Sequence, residues 1–455
     1  MVKVIVAQSK LDCEHLIGHF VDESHYDILV EEDTDCYLPA DCDVASQAAC
    51  ELNHDCSSCA KGANEKRIAF KFRKNFFSQE EQDAAYAGLR EAAVRTENRG
   101  LASGIKEGTS VTGEGREWVT NYQEEMMTAL LAARSASLVD EDPIEVIRAK
   151  YPTQDDRLKA LGSGKNNVWV ISRFRGKFNF DEWVDSIIPL DREARAKATE
   201  DTMTMVSDTS YGNPVDSGIA GWYDRYPRIP YGRATTYTRD NPEKFAMAFP
   251  FLQTLNKGFK ELLPWRWSNQ RAAADKLDPR YLVPETVFTT LTVNKTFRTA
   301  AHRDAGDLDA GLSNLLVLSN GGNFTGGYLI FPEVRVAVNV RPGDLLLVNN
   351  HEIIHGNTPI VLGDDKAERI SLVCYFRENM LQLGSWDYEN HRYEYVESRR
   401  LNKEHPLWKK LWNGVSPGMW DEKEWYDYLR EKGGEEMLAK YHPDAMANSL
   451  DEFFG

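Results

Sequence analysis

The sequence has no long apolar run, and it has almost no cysteine outside one segment. No stretch approaches the roughly 18 apolar residues that a helix needs to cross a bilayer. The first residues lack the basic, apolar and small-residue order of a secretory leader. These absences set the expectation of a soluble, intracellular protein with no membrane partner. No internal repeat or low-complexity tract is present, which argues against a solenoid or a disordered linker. Basic residues are nearly missing from the first 60 positions, where Lys3 and Lys10 face 13 acidic residues. That segment carries −11 of the net charge of −17, and the rest of the chain only −6. A local basic surface for an acidic partner such as nucleic acid therefore stays open.

What is there is ordinary for a folded chain: 455 residues, 42% hydrophobic and 27% charged, enough for one elaborated domain or two. Six of the seven cysteines lie in the first 59 residues: Cys13, Cys36, Cys42, Cys50, Cys56 and Cys59. Cys56 and Cys59 form one CxxC pair, and Cys36 and Cys50, with Cys42 or His54 as substitutes, could complete a zinc site. The second CxxC pair of such sites is missing. The competing reading is a polar loop of reduced thiols, or of disulfides in an oxidising compartment.

Residues 1–7, 26–37 and 67–72 alternate like strands, with 38–66 a loop between paired strands. Ser78 and Glu81 form a capping box that opens a helix, and a second helix is expected over 116–136. From residue 287 short apolar runs recur at 287–293, 312–318, 327–332, 334–340, 344–350 and 369–376, with glycine and proline turns between them. That pattern suggests a sandwich or jelly roll within an α+β chain. The expected divisions are an acidic, cysteine-rich β region (1–75), a helical or mixed support and DNA-contacting region (76–285), a β core (286–380) and a C-terminal wrap of short helices (381–455).

The chemistry lies in the β-rich block. His302 and Asp304 are two residues apart on one side of an extended chain. His355-Gly356 follows an apolar strand, and the set of two imidazoles and one carboxylate leaves three positions open on an octahedral Fe(II). Those positions can take a bidentate 2-oxoacid and O₂, whereas zinc normally keeps fewer open sites. His351 is the competing ligand, but the glycine after His355 and the chain order favour His355. Arg369, opening a later strand, offers a guanidinium fork for the distal carboxylate of 2-oxoglutarate, with Ser371 on the same strand face.

At these residues the chain resembles the TET/J-binding-protein family of nucleic-acid-modifying dioxygenases. The matching residues are Asn294, Phe297, Arg298, Thr299, His302, Asp304, Gly306 and Asp307. They continue with Gly326-Gly327, Phe331-Pro332-Glu333, Gly343-Asp344, His355 through Pro359, Arg369 and Ser371. Upstream, residues 221–233 are similar to a segment of the viral and J-binding-protein branch, which points to a bacteriophage-type member in a host cytoplasm. The resemblance implies a double-stranded β-helix (jelly-roll) core with helical and irregular N-terminal and C-terminal elaborations. It also implies hydroxylation of the 5-methyl group of thymine or 5-methylcytosine in DNA. It places Asn294 with the 2-oxoglutarate contacts and Phe297, Arg298 and Thr299 near substrate.

A duplex base reaches such a pocket only by being flipped out. Asp307 could accept a hydrogen bond from thymine N3–H or the cytosine amino group, or could simply cap its own turn. Arg225, Arg228 and Arg233 are candidate phosphate contacts, with Asn98 and Arg99 a weaker pair, while Tyr226 and Tyr231 suit a buried core. Leu450, Phe453 and Phe454 near the end resemble the tails that bind sliding clamps, or else pack on their own domain. Two other readings remain: the same iron chemistry on a free nucleoside or protein side chain, and a catalytically silent DNA- or clamp-binding module.

Overall fold

The computed structural model describes residues 2–39, 67–96, 99–105, 213–225, 229–304, 306–401 and 422–443. Alternation of side chains along its strands builds two facing sheets. The larger has ten strands, nine of them in the order Lys3–Val6, Thr34–Tyr37, Ile68–Arg73, Leu345–Val348, Ser313–Ser319, Arg369–Tyr375, Thr290–Lys295, Val215–Arg225 and Val94–Thr96. The tenth, Ile229–Ala234, pairs with Val215–Arg225 as a hairpin. The smaller sheet runs Gly356–Asn357, Leu329–Phe331, Val336–Val338 and Ile28–Val30.

Period-two alternation decides which face each residue serves. Leu346, Val348, Leu315 and Val317 turn toward the small sheet and meet Leu329, Phe331, Val336 and Val338 there. Phe70 and Phe331 stack across that gap at 5.3 Å. Leu345, Leu347, Leu316, Leu318, Ile370, Leu372 and Cys374 turn the other way. They are covered by helices Gln79–Leu89 and Phe249–Leu262 through Ala85, Leu89, Phe251, Leu255 and Phe259. Because Ile370, Leu372 and Cys374 face the helices, Arg369 and Ser371 must face the interior between the sheets. This is the α+β fold with a double-stranded β-helix core that the sequence suggested.

Residues 26–37 form two strands in different sheets, Ile28–Val30 and Thr34–Tyr37, because the polar residues 31–33 break the run. Strands from residues 3–73 pair directly with strands of 286–380 in both sheets. The Ser78 capping box is present, with Ser78 accepting from the Glu81 amide and Glu81 accepting in return. The C-terminal part is longer than short helices: Trp386–Leu401 and Glu422–Tyr441, the second broken at Gly433 and Gly434. The helix expected at 116–136 lies outside the described residues. Among the described residues no helix is long and apolar enough to cross a membrane.

One latch ties the covering helix to the sheet. Glu368 accepts from Arg90 at 2.8 Å and 3.0 Å, and from Lys295 and Tyr86. Burial alone would raise its carboxyl, but these donors outweigh burial and hold it at about 2. The folded value lies below the unfolded one, so the latch contributes fully above the unfolded value of 4.5 and is lost as pH falls toward 2. Glu368→Gln should therefore lower stability by on the order of 2 kcal/mol at neutral pH. Denaturant midpoints of wild type and variant should converge as the pH drops below about 4.5.

Candidate metal and cosubstrate site

The three ligand residues are brought together by the backbone before any side chain acts. His302 and His355 form an isolated antiparallel bridge, each amide donating to the other carbonyl at 2.9 Å. Gly356 permits this approach: a Cβ there would lie 2.9 Å from Val21 and 3.0 Å from the Ala301 nitrogen. That requirement explains the glycine after the second histidine. The Asp304 amide donates to the Asn350 carbonyl at 3.0 Å, which fastens the third ligand to the turn before His355.

The side chains then converge. His302 Nε2 and His355 Nε2 lie 3.4 Å and 3.9 Å from Asp304 Oδ1. The ligand atoms of all three residues fall within 4.8 Å of one another. Each Nδ1 contacts a backbone oxygen, Ala300 at 2.8 Å and Ile353 at 3.0 Å. Carbonyl acceptors fix the proton on Nδ1 and turn an unprotonated Nε2 toward the cluster. Burial, with the His302 ring beside it, pushes His355 down to about 4. For Asp304, burial favours the neutral acid, but contacts with His302, His355 and Asn350 outweigh it and keep the carboxyl low. Two imidazoles and one carboxylate suit a divalent metal with open positions.

The candidate cosubstrate end is equally specific. Arg369 is 1% exposed. Its Nε has no hydrogen-bond partner among the described residues, Nη2 makes only a 3.5 Å approach to the Gly327 carbonyl, and the guanidinium lies over the Phe324 ring at 5.6 Å. No carboxylate among the described residues pairs with it. Burial, and then the neighbouring Arg341, pull its guanidinium down to about 10. A buried cation with an idle donor fits a carboxylate ligand and little else. Ser371 and Asn294 are register partners on adjacent strands, and Asn294 accepts from Ser217 on the next strand. These residues fit a bound 2-oxoacid.

Asp307 follows the Gly306 turn, whose φ of +91° is a glycine conformation. It bridges to Arg377, and Ser313 donates to its Oδ2. Burial, and then the charge of Asp304, push its carboxyl up to about 8. Arg377 in turn donates to buried Asp224 at 2.6 Å, which joins the 221–225 segment to this turn.

Other expected contacts are placed differently. Phe297 is buried in the core, Arg298 donates to the Val21 and Asn357 carbonyls, and Thr299 donates to Asn357. Their polar groups serve the chain itself. Burial pulls the Arg99 guanidinium down, with Tyr375 and Asp304 near enough to act against that through their charge, and its Nε has no hydrogen-bond partner among the described residues. Arg233 lies over the Tyr223 ring at 4.8 Å and donates to its hydroxyl. Of Arg225 only the backbone is described, and Arg228, Asn98 and Tyr226 lie outside the described residues. Tyr231 is buried, as a core reading requires. His351 turns away from the cluster and pairs with Asp309 at 2.8 Å.

Cys36 sits in the apolar gap between the sheets, where burial pushes its thiol to about 12. That is packing, not metal ligation, so Cys36 drops out of the zinc set. Cys42, Cys50, His54, Cys56, Cys59 and the Leu450, Phe453 and Phe454 tail lie outside the described residues. Asn350 and Glu333, both buried around the ligands, escaped the sequence reading. Only the second had any signal, as part of Phe331-Pro332-Glu333.

Residues 218–378 match the family model Tet_JBP, the oxygenase domain of the 2OGFeDO superfamily. That segment is similar to the TET/JBP oxygenase domains. The matched segment contains His302, Asp304, His355 and Arg369. Among curated proteins, the chain is 30% identical over 295 residues to the bifunctional helicase and thymine dioxygenase JBP2 of Leishmania major, covering 64% of this chain and 26% of that protein. It is 37% identical over 166 residues to the thymine dioxygenase JBP1-B of Trypanosoma cruzi, covering 35% of this chain and 19% of that protein. The chain thus spans about a quarter or less of the length of these relatives. A solved structure, NgTET1 in complex with 5mC DNA, aligns with a TM-score of 0.31 and 19% identity, covering 39% of this chain and 68% of that one.

Proposed function

We propose that the protein is an Fe(II)- and 2-oxoglutarate-dependent dioxygenase that hydroxylates the 5-methyl group of thymine or 5-methylcytosine in DNA. The observation that carries this is the convergence of His302, Asp304 and His355 in one interior that also holds an unpaired buried Arg369. The match to an oxygenase domain and the thymine dioxygenase names of the relatives support the reaction class.

Iron with 2-oxoglutarate and O₂ supplies the oxidising chemistry when bound. The chain's own residues do the rest. Arg369 and Ser371 anchor the cosubstrate, and Arg99 adds a second cation on the metal side. The apolar sheets screen the His355 side of the cluster from water, while Asp304 stays partly open to solvent. In this reading Asp307 holds the flipped base, since a carboxyl that keeps its proton offers one donor and one acceptor to a pyrimidine edge. Arg225 and Arg233 lie on the paired strands Val215–Arg225 and Ile229–Ala234, and with Arg228 they are the proposed contacts to the DNA backbone.

Loss of that edge contact through Asp307→Ala should cost about 10- to 100-fold in kcat/KM for DNA. Uncoupled 2-oxoglutarate decarboxylation without DNA should stay near wild type. Equal losses in both assays would instead assign Asp307 to the metal end.

The substrate class is tested by measuring succinate release with duplex DNA bearing thymine or 5-methylcytosine, with duplex lacking both methyl groups, with free nucleosides, and with peptide. Stimulation by the methylated duplex alone supports the proposal. Stimulation by nucleoside or peptide moves the same chemistry to another substrate. No succinate with any of them leaves a binding module.

A further inference from the structure

Glu333 is a carboxylate that the reaction does not use, yet it is only 2% exposed. It sits in the turn Pro332–Val334, directly after the strand Leu329–Phe331 of the small sheet. A buried carboxylate is costly unless its oxygens are filled, and here both are. Oε2 accepts from the Ile354 amide at 2.7 Å. Oε1 accepts from Arg303 Nη2 at 2.9 Å, with Lys10 Nζ 3.5 Å away. Ile354 is the residue before His355, and Arg303 stands between His302 and Asp304. The same guanidinium reaches the Glu352 carbonyl at 3.3 Å through Nε, and Lys10 reaches that carbonyl at 3.2 Å.

We propose that Glu333 is a positioning residue for the metal centre, its two oxygens fastening the loop that carries His355 to the segment that carries His302 and Asp304. The inference rests on the metal reading above and deepens it. The ligand segments are also joined by the His302–His355 bridge and the Asp304–Asn350 backbone bond, which hold backbone positions, and by Arg298 and Thr299 contacts to Asn357 beyond His355. Glu333 adds a charged tie on the outer side of the same two segments. Groups that orient ligands from behind typically change metal affinity by about 10- to 100-fold when removed.

The test is a Co(II) titration of the metal-free protein, followed in the visible spectrum and by calorimetry, for wild type, Glu333→Gln, Glu333→Ala, Arg303→Ala and the double variant. Glu333→Gln keeps an acceptor for the Ile354 amide but loses the ion pair, so its dissociation constant should rise about 10-fold. Glu333→Ala should raise it up to about 100-fold and alter the Co(II) ligand-field bands. Arg303→Ala combined with Glu333→Ala should be no worse than the poorer single variant, because both break one tie. The thermal midpoint of metal-free Glu333→Gln should stay within a few degrees of wild type.

Dissociation constants within twofold of wild type for both Glu333 variants would overturn the proposal. So would losses that multiply in the double variant, or a loss of affinity that only follows a loss of fold. If Glu333→Ala does not fold, Glu333→Gln and Arg303→Lys decide by the same criteria. Wild type that binds no Co(II), or binds it equally after His302→Ala, refutes the metal site itself, an outcome distinct from failure of the Glu333 tie.

Discussion

Arg369→Met is expected to stabilise the metal-free protein while weakening 2-oxoglutarate binding by about 10²- to 10³-fold. Arg369 is 1% exposed and has an idle Nε donor. Arg341 stands near enough to depress its guanidinium further, to about 10. An uncompensated buried cation costs the fold energy until an anion arrives, and replacing it with an apolar side chain of similar volume removes that cost. The bound carboxylate, in contrast, loses a buried charged partner, which is worth about 3–5 kcal/mol. Thermal unfolding of the metal-free pair and calorimetric titration of the metal-loaded pair with 2-oxoglutarate check both halves. A variant that loses stability and still binds the cosubstrate normally would show that the arginine is a structural strut. Arg369→Lys should fall between the two, since an ammonium cannot present the planar fork.

The second large effect is expected at Asp304. It is the one anion of the ligand set, and His355 is held neutral by burial and by the ring of His302. Asp304→Ala leaves two imidazoles, so metal affinity should fall on the order of 10³-fold and turnover should disappear. Asp304→Asn keeps the shape and removes the charge, which separates geometry from electrostatics. It should recover little affinity, because a neutral amide oxygen is a weak partner for Fe(II). Metal titration and succinate release measure the two consequences independently.

How much of this was legible in the sequence depended on range. His302, Asp304, His355 and Arg369 were readable because metal and carboxylate chemistry restrict residue type, and because short extended segments fix which side chains share a face. Strand alternation over 67–72 and 369–376 was readable for the same local reason. Arg99 was read only as a phosphate contact, since Asp304, which acts on its charge, lies some two hundred residues along the chain and no nearby spacing points to it. Glu333 was hidden likewise: its partners, Arg303 and Ile354, come from 30 and 21 residues away. Cys36 was misread because a CxxC pair further along suggested ligands, while its own strand alternation, between Phe70 and Val30 in the packed gap, gave it to the core. Phe297, Arg298 and Thr299 belong to the motif text, yet their polar groups are spent on the Val21 and Asn357 segment.

The most direct test of the account is to incubate the protein anaerobically with Fe(II), 2-oxoglutarate and duplex DNA containing thymine or 5-methylcytosine, admit air, digest the DNA and weigh its nucleosides. The account predicts one added oxygen atom on one of the two methylated bases, and no such product with His302→Ala. Succinate without any oxidised base would contradict the DNA assignment, and an oxidised base that survives His302→Ala would contradict the site.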